Sequence, residues 1–222
     1  MNIGILGGTG PAGSSLGARL ASIGYEVVLG SRDRSRSQET VQRLNEKWPD
    51  RHLSLVASDN AGAASAEIVV LATPWDGAIP TAESVANSLV GKNVICMANA
   101  LVKIGSEFQA LLPPRGSIAV AVQSVAPGAR VVAAFQHLPA KELGDLDHAI
   151  ESDVLICSDF PEAILAVSEM VSKIPNLRPL DAGRLSSAAP IECFTAVLLQ
   201  LNSRYKTRAA IKLTGIDTTI GA

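Results

Sequence analysis

A glycine-rich turn constrains this chain more than any other feature of its sequence. The apolar run Asn2–Gly7 is typical of a β-strand and leads into the segment GGTGPAG, after which Pro11–Ile23 has a helical pattern. Its glycines Gly8, Gly10 and Gly13 complete the pattern G-x-G-x-x-G. In that pattern the glycines permit a tight turn, close approach of a pyrophosphate to the backbone, and close packing of helix on strand.

This turn has the surroundings that dinucleotide binding requires, because it directly follows a strand and opens a helix. The free N–H groups and the positive end of the helix dipole face the phosphates in such a turn. Proline suits the first helical turn, where its missing N–H would have no intrahelical partner. We therefore expect the cofactor's pyrophosphate to be bound by Gly8, Thr9, Gly10, Pro11 and Ala12.

Short runs of Val, Ile and Leu alternate with helical patterns along the first 136 residues. Strands are predicted at Glu26–Gly30, Leu53–Ala57, Glu67–Ala72, Asn93–Met97 and Arg130–Phe135, and helices at Ser35–Trp48 and Ala78–Leu89. The stretch Ser117–Ala126 fits a strand or a helix, and a helix is favoured. The alternation predicts an α/β fold, a Rossmann doubly wound parallel sheet whose last strand is Arg130–Phe135.

Beyond residue 136 the pattern weakens and then resumes as a smaller α/β unit. Strands are predicted at Val154–Cys157 and Leu177–Asp181, and helices at Pro161–Lys173 and Pro190–Tyr205. We therefore predict two domains. Residues 1–136 form the dinucleotide-binding Rossmann domain, and residues 137–222 form a smaller domain for the second substrate.

The composition excludes several classes of protein. Hydrophobic residues make up 47% and charged residues 18% of the 222 residues, which argues against disorder. The net charge of −2 argues against a nucleic-acid partner, which needs a dense basic face. No signal peptide pattern and no apolar run near the ~20 residues of a membrane span is present, so we expect a cytoplasmic protein. Scattered cysteines and histidines predict no metal site.

The end of the second predicted strand indicates which dinucleotide binds. An NAD site has Asp or Glu at that place, but this chain has Ser31 and Arg32. A guanidinium pairs bidentately with a 2′-phosphate and a hydroxyl can donate to it, so the sequence predicts NADP. Arg34 and Arg36 add positive charge, and we expect the carboxylate of Asp33 to point away from the phosphate.

Two further loops follow strands of the predicted sheet. Thr73 and Pro74 follow the fourth strand, and Asn99 and Leu101 follow the fifth. Ligands in doubly wound sheets bind beyond the carboxyl ends of the strands. These loops should therefore border the ribose and the nicotinamide, while Trp75 either joins them or serves as a rim aromatic.

Several segments over nearly the whole chain resemble the NADPH-dependent reductases of coenzyme F420, a deazaflavin. They are Ile5–Gly10, Leu29–Arg32, Leu71–Trp75, Leu138–Ala140, Leu177–Gly183 and Asn202–Lys206. The segment LRPLDAG is more specific than the glycine turn, because no general fold rule demands it. The resemblance implies an oxidoreductase that moves a hydride between NADP(H) and F420, acting as a homodimer in which the helix Pro190–Leu201 packs.

The resemblance also implies roles for individual residues. NADP would contact Thr9 to Ala12, Ser31, Arg32 and Arg36, and its other end would meet Thr73, Asn99, Leu101 and Ala140. The deazaflavin would lie against Gln136, His137, Leu138 and Pro139. No catalytic acid, base or nucleophile is expected, since hydride transfer depends on positioning of the two cofactors.

Two positions depart from the family's pattern. Gln136 stands where the family has His, and Ala189 stands where it has Arg. Both belong to the half that would hold the second substrate. Two other functions therefore stay open: an NADPH-dependent reductase of a flavin or ferric complex, as in the related six-transmembrane metalloreductases, and a non-catalytic NADP(H) sensor. His137 either donates to the ring edge or only packs.

Overall fold

Both faces of the central strands are buried, because helices pack on each side of one sheet. The computed structural model describes residues 1–216. Its strands and helices are β1 (Asn2–Leu6), α1 (Pro11–Ser22), β2 (Glu26–Ser31), α2 (Arg34–Lys47), β3 (Leu55–Asp59), α3 (Asn60–Ala63), β4 (Ile68–Leu71), α4 (Trp75–Ser84), β5 (Asn93–Cys96), β6 (Leu101–Ile104), β7 (Glu107–Ala110), α5 (Ile118–Val125), β8 (Arg130–Ala133), α6 (Ala140–Leu143), β9 (Ser152–Ser158), α7 (Pro161–Ser172), β10 (Leu177–Asp181) and α8 (Ala188–Tyr205).

Eight strands form the sheet in the order β10-β9-β8-β5-β4-β1-β2-β3. All neighbours are parallel except β8 and β9, which pair antiparallel with Ala133 opposite Cys157. The predicted fold class, a doubly wound Rossmann sheet, is confirmed, and so is the helix within Ser117–Ala126. The expectation that Arg130–Phe135 is the last strand of this sheet is wrong.

The sheet continues past β8 because the chain after residue 136 returns in the opposite direction and pairs with that strand. The sequence signal of β9 is a short apolar run, and that of β10, LRPLD, is weaker still; neither distinguishes a separate sheet from an extension of the first one. The predicted boundary at residue 136 thus falls inside one continuous sheet. The last six residues of the predicted second domain, 217–222, lie outside the described part of the chain.

Strand order places the loops that matter for binding. Strands β1 and β4 are neighbours, and the chain turns to opposite sides of the sheet from there. Ligands in such sheets bind at this reversal, beyond the carboxyl ends of the strands. The loops after β1, β4, β5 and β8 all open at that edge, and α8 together with the β6–β7 hairpin borders it. No helix in residues 1–216 is long and apolar enough to cross a membrane.

Candidate functional site

The glycine turn lies where β1 ends. The N–H of Gly8 donates to the carbonyl oxygen of Gly30 at 2.8 Å, which joins the turn to the end of β2. A Cβ on Gly13 would lie 2.7 Å from the carbonyl oxygen of Gly7, whereas a Cβ on Gly10 would come no closer than 3.5 Å to the rest of the fold. Packing therefore demands glycine at position 13 but leaves room for a side chain at position 10.

Helix α1 begins at Pro11 with an N-terminus that no side chain neutralises. Gly10 is the N-cap residue, no side-chain hydrogen bond caps the helix, and its first turn holds no acidic residue. The first amide N–H groups of a helix have no intrahelical acceptor and carry partial positive charge. The arrangement can accept an anion at this end of α1.

The end of β2 carries the residues predicted to bind a 2′-phosphate. Ser31 is buried, and Arg32 and Arg36 are exposed to solvent. The carboxylate of Asp33 caps α2 by accepting hydrogen bonds from the backbone N–H and the hydroxyl of Ser35 at 2.9 and 2.8 Å. These bonds lower the pKa of Asp33. The charged carboxylate of Asp33 therefore stabilises the start of α2.

A cavity of about 260 Å³ joins the glycine turn to α2. Its lining residues are Thr9, Arg36, Glu39, Thr40 and Arg43. Thr9 and Arg36 were predicted from the sequence and are brought together here, while Arg43 was missed. The signal that could have found Arg43 is its spacing of seven residues from Arg36, which puts both on one face of α2.

A second cavity, of about 380 Å³, opens at the carboxyl ends of β5 and β8. It brings together seven of the residues predicted as site residues, Ala12, Asn99, Leu101, Gln136, Leu138, Pro139 and Ala140. Eight others in its lining were missed, namely Met97, Phe135, Lys141, Leu143, Thr195, Leu199, Asn202 and Thr207, and Arg208 completes the lining. The first helix, the loop after β5, the segment after β8 and helix α8 thus share one cavity.

Two amide side chains in this cavity have different surroundings. Asn99 donates from Nδ2 to the carbonyl oxygen of Gln136 at 2.7 Å and accepts at Oδ1 from the hydroxyl of Thr195 at 3.3 Å. The side chain of Gln136 is 5% exposed, yet neither Nε2 nor Oε1 has a partner in residues 1–216. A buried amide without partners costs free energy, and a ligand that offers an acceptor and a donor would recover it.

The backbone just before Gln136 is strained. Phe135 has a φ of +65°, in the left-handed region that bulky side chains rarely adopt, and its ring is almost fully buried. Such conformations persist where the surrounding structure enforces them, and they concentrate at binding sites. At this position the bend takes the chain from β8 into the lining of the larger cavity.

The loop after β4 lies beside the glycine turn but in neither cavity. A Cβ on Gly7 would lie 2.8 Å from the methyl group of Thr73, so Thr73 lies against the turn. Its hydroxyl oxygen is buried with no hydrogen-bond partner among the described residues. Pro74 is the N-cap residue of α4, and Trp75 is 38% exposed. Neither Thr73 nor Pro74 lines the two cavities described above.

Comparisons with known proteins identify relatives over the whole chain. Residues 2–100 match the family described as NADP oxidoreductase, coenzyme F420-dependent. The F420-dependent NADP reductase of Methanocaldococcus jannaschii is 33% identical over 98% of this chain and 100% of its own. The chain belongs to the family of F420-dependent NADP reductases. The enzyme of the same name from Methanothermobacter marburgensis, another member, is 33% identical over 97% of this chain and 99% of its own.

A solved structure that is similar to this chain has the same fold. A crystal structure from Arthrobacter sp. FB24, whose name gives it as an inferred F420-dependent NADP reductase, matches with a TM-score of 0.84 and 25% identity. The match covers 96% of this chain and 99% of that one. The resemblance inferred from the sequence segments is therefore confirmed.

His137 was predicted as a site residue, but it lines neither of the two cavities. Its ring is 3% exposed, and Nε2 lies 3.0 Å from the carbonyl oxygen of Asp153 in β9. Burial lowers the pKa of His137, so the ring is neutral at neutral pH. The imidazole packs against the backbone of β9 rather than lining the larger cavity.

A buried arginine on α1 holds one wall of the larger cavity, and sequence reasoning missed it. Arg19 is 5% exposed and donates hydrogen bonds to four carbonyl oxygens of one segment, those of Glu142, Leu143, Asp145 and His148. The segment includes the end of α6, whose last carbonyl groups lack intrahelical partners. The helix that opens with the glycine turn is thereby tied to the segment after β8.

A buried carboxylate on α8 holds the opposite side of the site. Glu192 is 4% exposed and accepts hydrogen bonds at the start of α5 from the N–H groups of Ile118 and Ala119, at 2.9 and 3.2 Å. Burial raises the pKa of Glu192 to about 7, against the opposing effect of the two N–H groups. Helix α8 is thus fastened to α5 by a group that titrates near neutrality.

Glu192 should therefore make the stability of this protein depend on pH. Because its pKa is higher in the folded than in the unfolded chain, its contribution is fully present below about pH 4.5 and is lost as the pH rises through about 7. Between pH 5 and 8 we expect wild type to lose about 2.5 kcal/mol of unfolding free energy relative to Glu192→Gln, which cannot titrate. Urea unfolding of both proteins at both pH values measures this, and a difference that does not change with pH would contradict it.

Proposed function

We propose that this protein is an oxidoreductase that transfers a hydride between NADP(H) and coenzyme F420. The observation that carries the proposal is the larger cavity, in which Ala12 of the helix that follows the glycine turn and Gln136 of the segment after β8 line one space. Relatives that are 30–33% identical over nearly the whole chain carry the name F420-dependent NADP reductase. They favour F420 over a flavin or ferric acceptor and over a sensor without catalysis.

The proposed NADP site lies in residues 1–136, with Ala140 added from the segment that follows. The pyrophosphate would lie against Gly8, Thr9, Gly10, Pro11 and Ala12, where the N-terminus of α1 is free of acidic side chains. The room at Gly10 supports this, because the fold alone tolerates a Cβ there and a phosphate approaching the backbone would not.

The 2′-phosphate would be bound at the end of β2, where two arginines face solvent. The residues proposed for it are Ser31, Arg32 and Arg36. The ribose and nicotinamide would be bordered by Thr73, Pro74, Asn99, Leu101 and Ala140. The buried hydroxyl of Thr73 fits this role, since a ligand would give it the hydrogen bond that the described chain does not.

The proposed site of the second substrate belongs to residues 137–222 together with Gln136. Leu138, Pro139 and Ala140 give the larger cavity an apolar wall, and Gln136, whose side-chain amide has no partner among the described residues, lines it as well. A deazaflavin is a flat ring with a polar edge, so it can stack on such a wall and pair with an amide. His137 would act from outside the cavity, by holding the segment after β8 against the backbone of β9.

The chain's contribution to the reaction is positioning. Bound NADP(H) and F420 would supply the hydride chemistry themselves, at nicotinamide C4 and deazaflavin C5. Holding reacting atoms about 3–3.5 Å apart supplies much of the rate without a catalytic acid or base. Asn99 fixes the carbonyl of Gln136 and is itself held by Thr195, so the loop after β5 and the segment after β8 keep one spacing.

The direct test is turnover. Purified protein mixed with NADPH and oxidised F420 should bleach the absorbance band of the deazaflavin. NADPH oxidation only with a flavin or ferric salt, or tight NADPH binding without turnover on any acceptor, would contradict the proposal.

Replacing Gln136 tests whether its side chain binds the second substrate or stabilises the fold. Gln136→Leu should raise the KM for F420 about tenfold, the effect of one or two hydrogen bonds, and should leave the KM for NADPH within about twofold. The melting temperature should not fall, because the change removes an amide that has no partner in the described chain. Gln109→Leu on the exposed side of β7 is the matched control. A lower melting temperature with unchanged KM would give Gln136 a structural role instead.

We also propose a homodimer formed through α8. Phe194, Val197, Leu201 and Tyr205 share one face of this helix and are 37–70% exposed. A continuous apolar strip of this kind marks an interaction surface, and a two-fold pair of copies would cover it. Sedimentation equilibrium tests this, and the mass of the single chain, 23.1 kDa, would contradict it.

The proposed setting is the cytoplasm, with small molecules as the only ligands. The net charge of −2 supports partners other than nucleic acid. Immunoblotting of cell fractions tests the location.

A further inference from the structure

The segment that follows α8 borders the larger cavity. Helix α8 ends at Tyr205, and its C-cap residue Lys206 has a φ of +53°, which turns the chain. Residues 207–213, called here the C-terminal strap, follow without helix or strand. Thr207 and Arg208 of the strap line the cavity. Arg208 also forms an ion pair with Glu142 in α6. The strap thus joins two walls of the space proposed for the second substrate.

The far end of the strap is fastened to a buried carboxylate. Asp153 in β9 is 1% exposed, and both its oxygens accept hydrogen bonds at 2.7 Å from the guanidinium of Arg178 in β10. The N–H of Leu213 donates to Asp153 at 2.6 Å, and Arg178 donates in turn to the carbonyl oxygen of Leu213 at 2.6 Å. One strap residue is therefore held by both members of a bidentate pair, a geometry with high directional specificity.

The backbone of the same strand adds a second attachment. The N–H of Asp153 donates to the carbonyl oxygen of Ile211 at 2.7 Å, and the hydroxyl of Ser152 donates to it at 3.1 Å. The hydrogen bonds from Arg178 lower the pKa of Asp153, so the carboxylate is charged near neutral pH. The attachment does not depend on pH near neutrality.

We propose that Arg178 and Asp153 are positioning residues that latch the C-terminal strap, so that Thr207 and Arg208 form a wall of the second-substrate site. The inference rests on the proposed function. It gives a role to the arginine of the segment Leu177–Gly183, which lies outside the lining of both cavities. Substrate affinity at the cavity then depends on an ion pair that touches no substrate.

A neighbouring ion pair supplies a control. Lys212 of the strap pairs with Glu151, and both side chains are more than half exposed. Exposed pairs contribute little, typically about 0–1 kcal/mol. Lys212→Ala therefore removes a cation from the strap without opening the latch.

Two variants test the latch in the full-length protein. Arg178→Met removes the guanidinium but leaves a buried carboxylate unpaired, which can unfold the chain. Leu213→Pro removes the N–H that donates to Asp153 and fixes φ at residue 213, but it keeps both charges of the ion pair, and it keeps the test valid if Arg178→Met does not fold. Arg178→Lys, which keeps the charge and loses the bidentate geometry, should give an intermediate effect.

The readouts are the rate of tryptic cleavage after Arg208, the KM for F420 and the KM for NADPH. In the two latch variants we expect cleavage and the KM for F420 to rise about tenfold, as for the loss of one or two charged hydrogen bonds, with the KM for NADPH within about twofold and Lys212→Ala like wild type. Unchanged cleavage, faster cleavage with unchanged KM for F420, or an equal rise in both KM values would overturn the latch. Wild type that does not reduce F420 at all would overturn the proposed function, and the latch with it.

Discussion

Replacing Arg19 with methionine is expected to lower the free energy of unfolding by about 3–5 kcal/mol, because it removes a buried guanidinium whose four hydrogen bonds join α1 to the segment after β8. The guanidinium reaches the carbonyl oxygens of Leu143 and His148 at 3.0 Å and that of Glu142 at 3.3 Å, and it also bonds that of Asp145. Methionine fills a similar volume but donates nothing. Thermal unfolding should show a melting temperature lower by roughly 10 °C, given about 2–4 °C per kcal/mol for a chain of this size.

Arg51 is the matched control for Arg19, since it binds the same segment from the surface. It donates to the carbonyl oxygen of Leu146 at 3.3 Å and pairs with Asp147 at 2.9 Å, but its side chain is 45% exposed. Arg51→Met should cost less than about 1 kcal/mol, as exposed ion pairs usually do. Equal losses of unfolding free energy in the two variants would mean that the burial of Arg19 adds nothing to the stability of the protein.

The parts of the fold that could be predicted from the sequence carry local signals. Strand β4 is a continuous apolar run, and α1 begins with a proline after a glycine N-cap. Both signals arise within a few residues, so they do not depend on what packs nearby. The alternation of such runs was enough to predict the parallel doubly wound sheet.

Pairing between distant strands could not be predicted in the same way. Strand β9 joins β8 antiparallel, and nothing in its apolar sequence specifies a partner or a direction. The β6–β7 hairpin was also missed, although Gly105 and Ser106 between two short strands are a two-residue hairpin loop. That signal is local and could have been used.

The residues of the candidate site likewise fall into those that the sequence could predict and those that it could not. Residues from loops directly after strands, such as Asn99 and Gln136, were predicted and meet in the larger cavity. Thr195 and Leu199 come from α8 and Thr207 from the C-terminal strap, and they reach the cavity only because α8 packs against α5 and the β6–β7 hairpin. Long-range packing of this kind has no period or motif in the sequence.

Replacing Arg32 with alanine is expected to change the preference for the cofactor. A charged hydrogen bond to a phosphate contributes about 1.5–3 kcal/mol, so the KM for NADPH should rise about 10–100-fold. NADH has no 2′-phosphate, and its KM should change less than about twofold. Arg32 is exposed and carries no hydrogen bond or ion pair within residues 1–216, so the melting temperature should stay the same. Steady-state kinetics with both nucleotides and a saturating second substrate measure the ratio.

The control for Arg32→Ala removes a cation of equal charge elsewhere. Lys173 lies at the end of α7, exposed and paired with Glu169 at 2.9 Å, so Lys173→Ala should leave both KM values unchanged. Arg36→Ala should raise the KM for NADPH as well, because Arg36 lines the cavity that contains Thr9 of the glycine turn. If Arg32→Ala raised the KM for NADPH and for NADH equally, its guanidinium would be binding a group that both nucleotides share. The assignment of the 2′-phosphate to the end of β2 would then be wrong, although the pyrophosphate could still bind at the glycine turn.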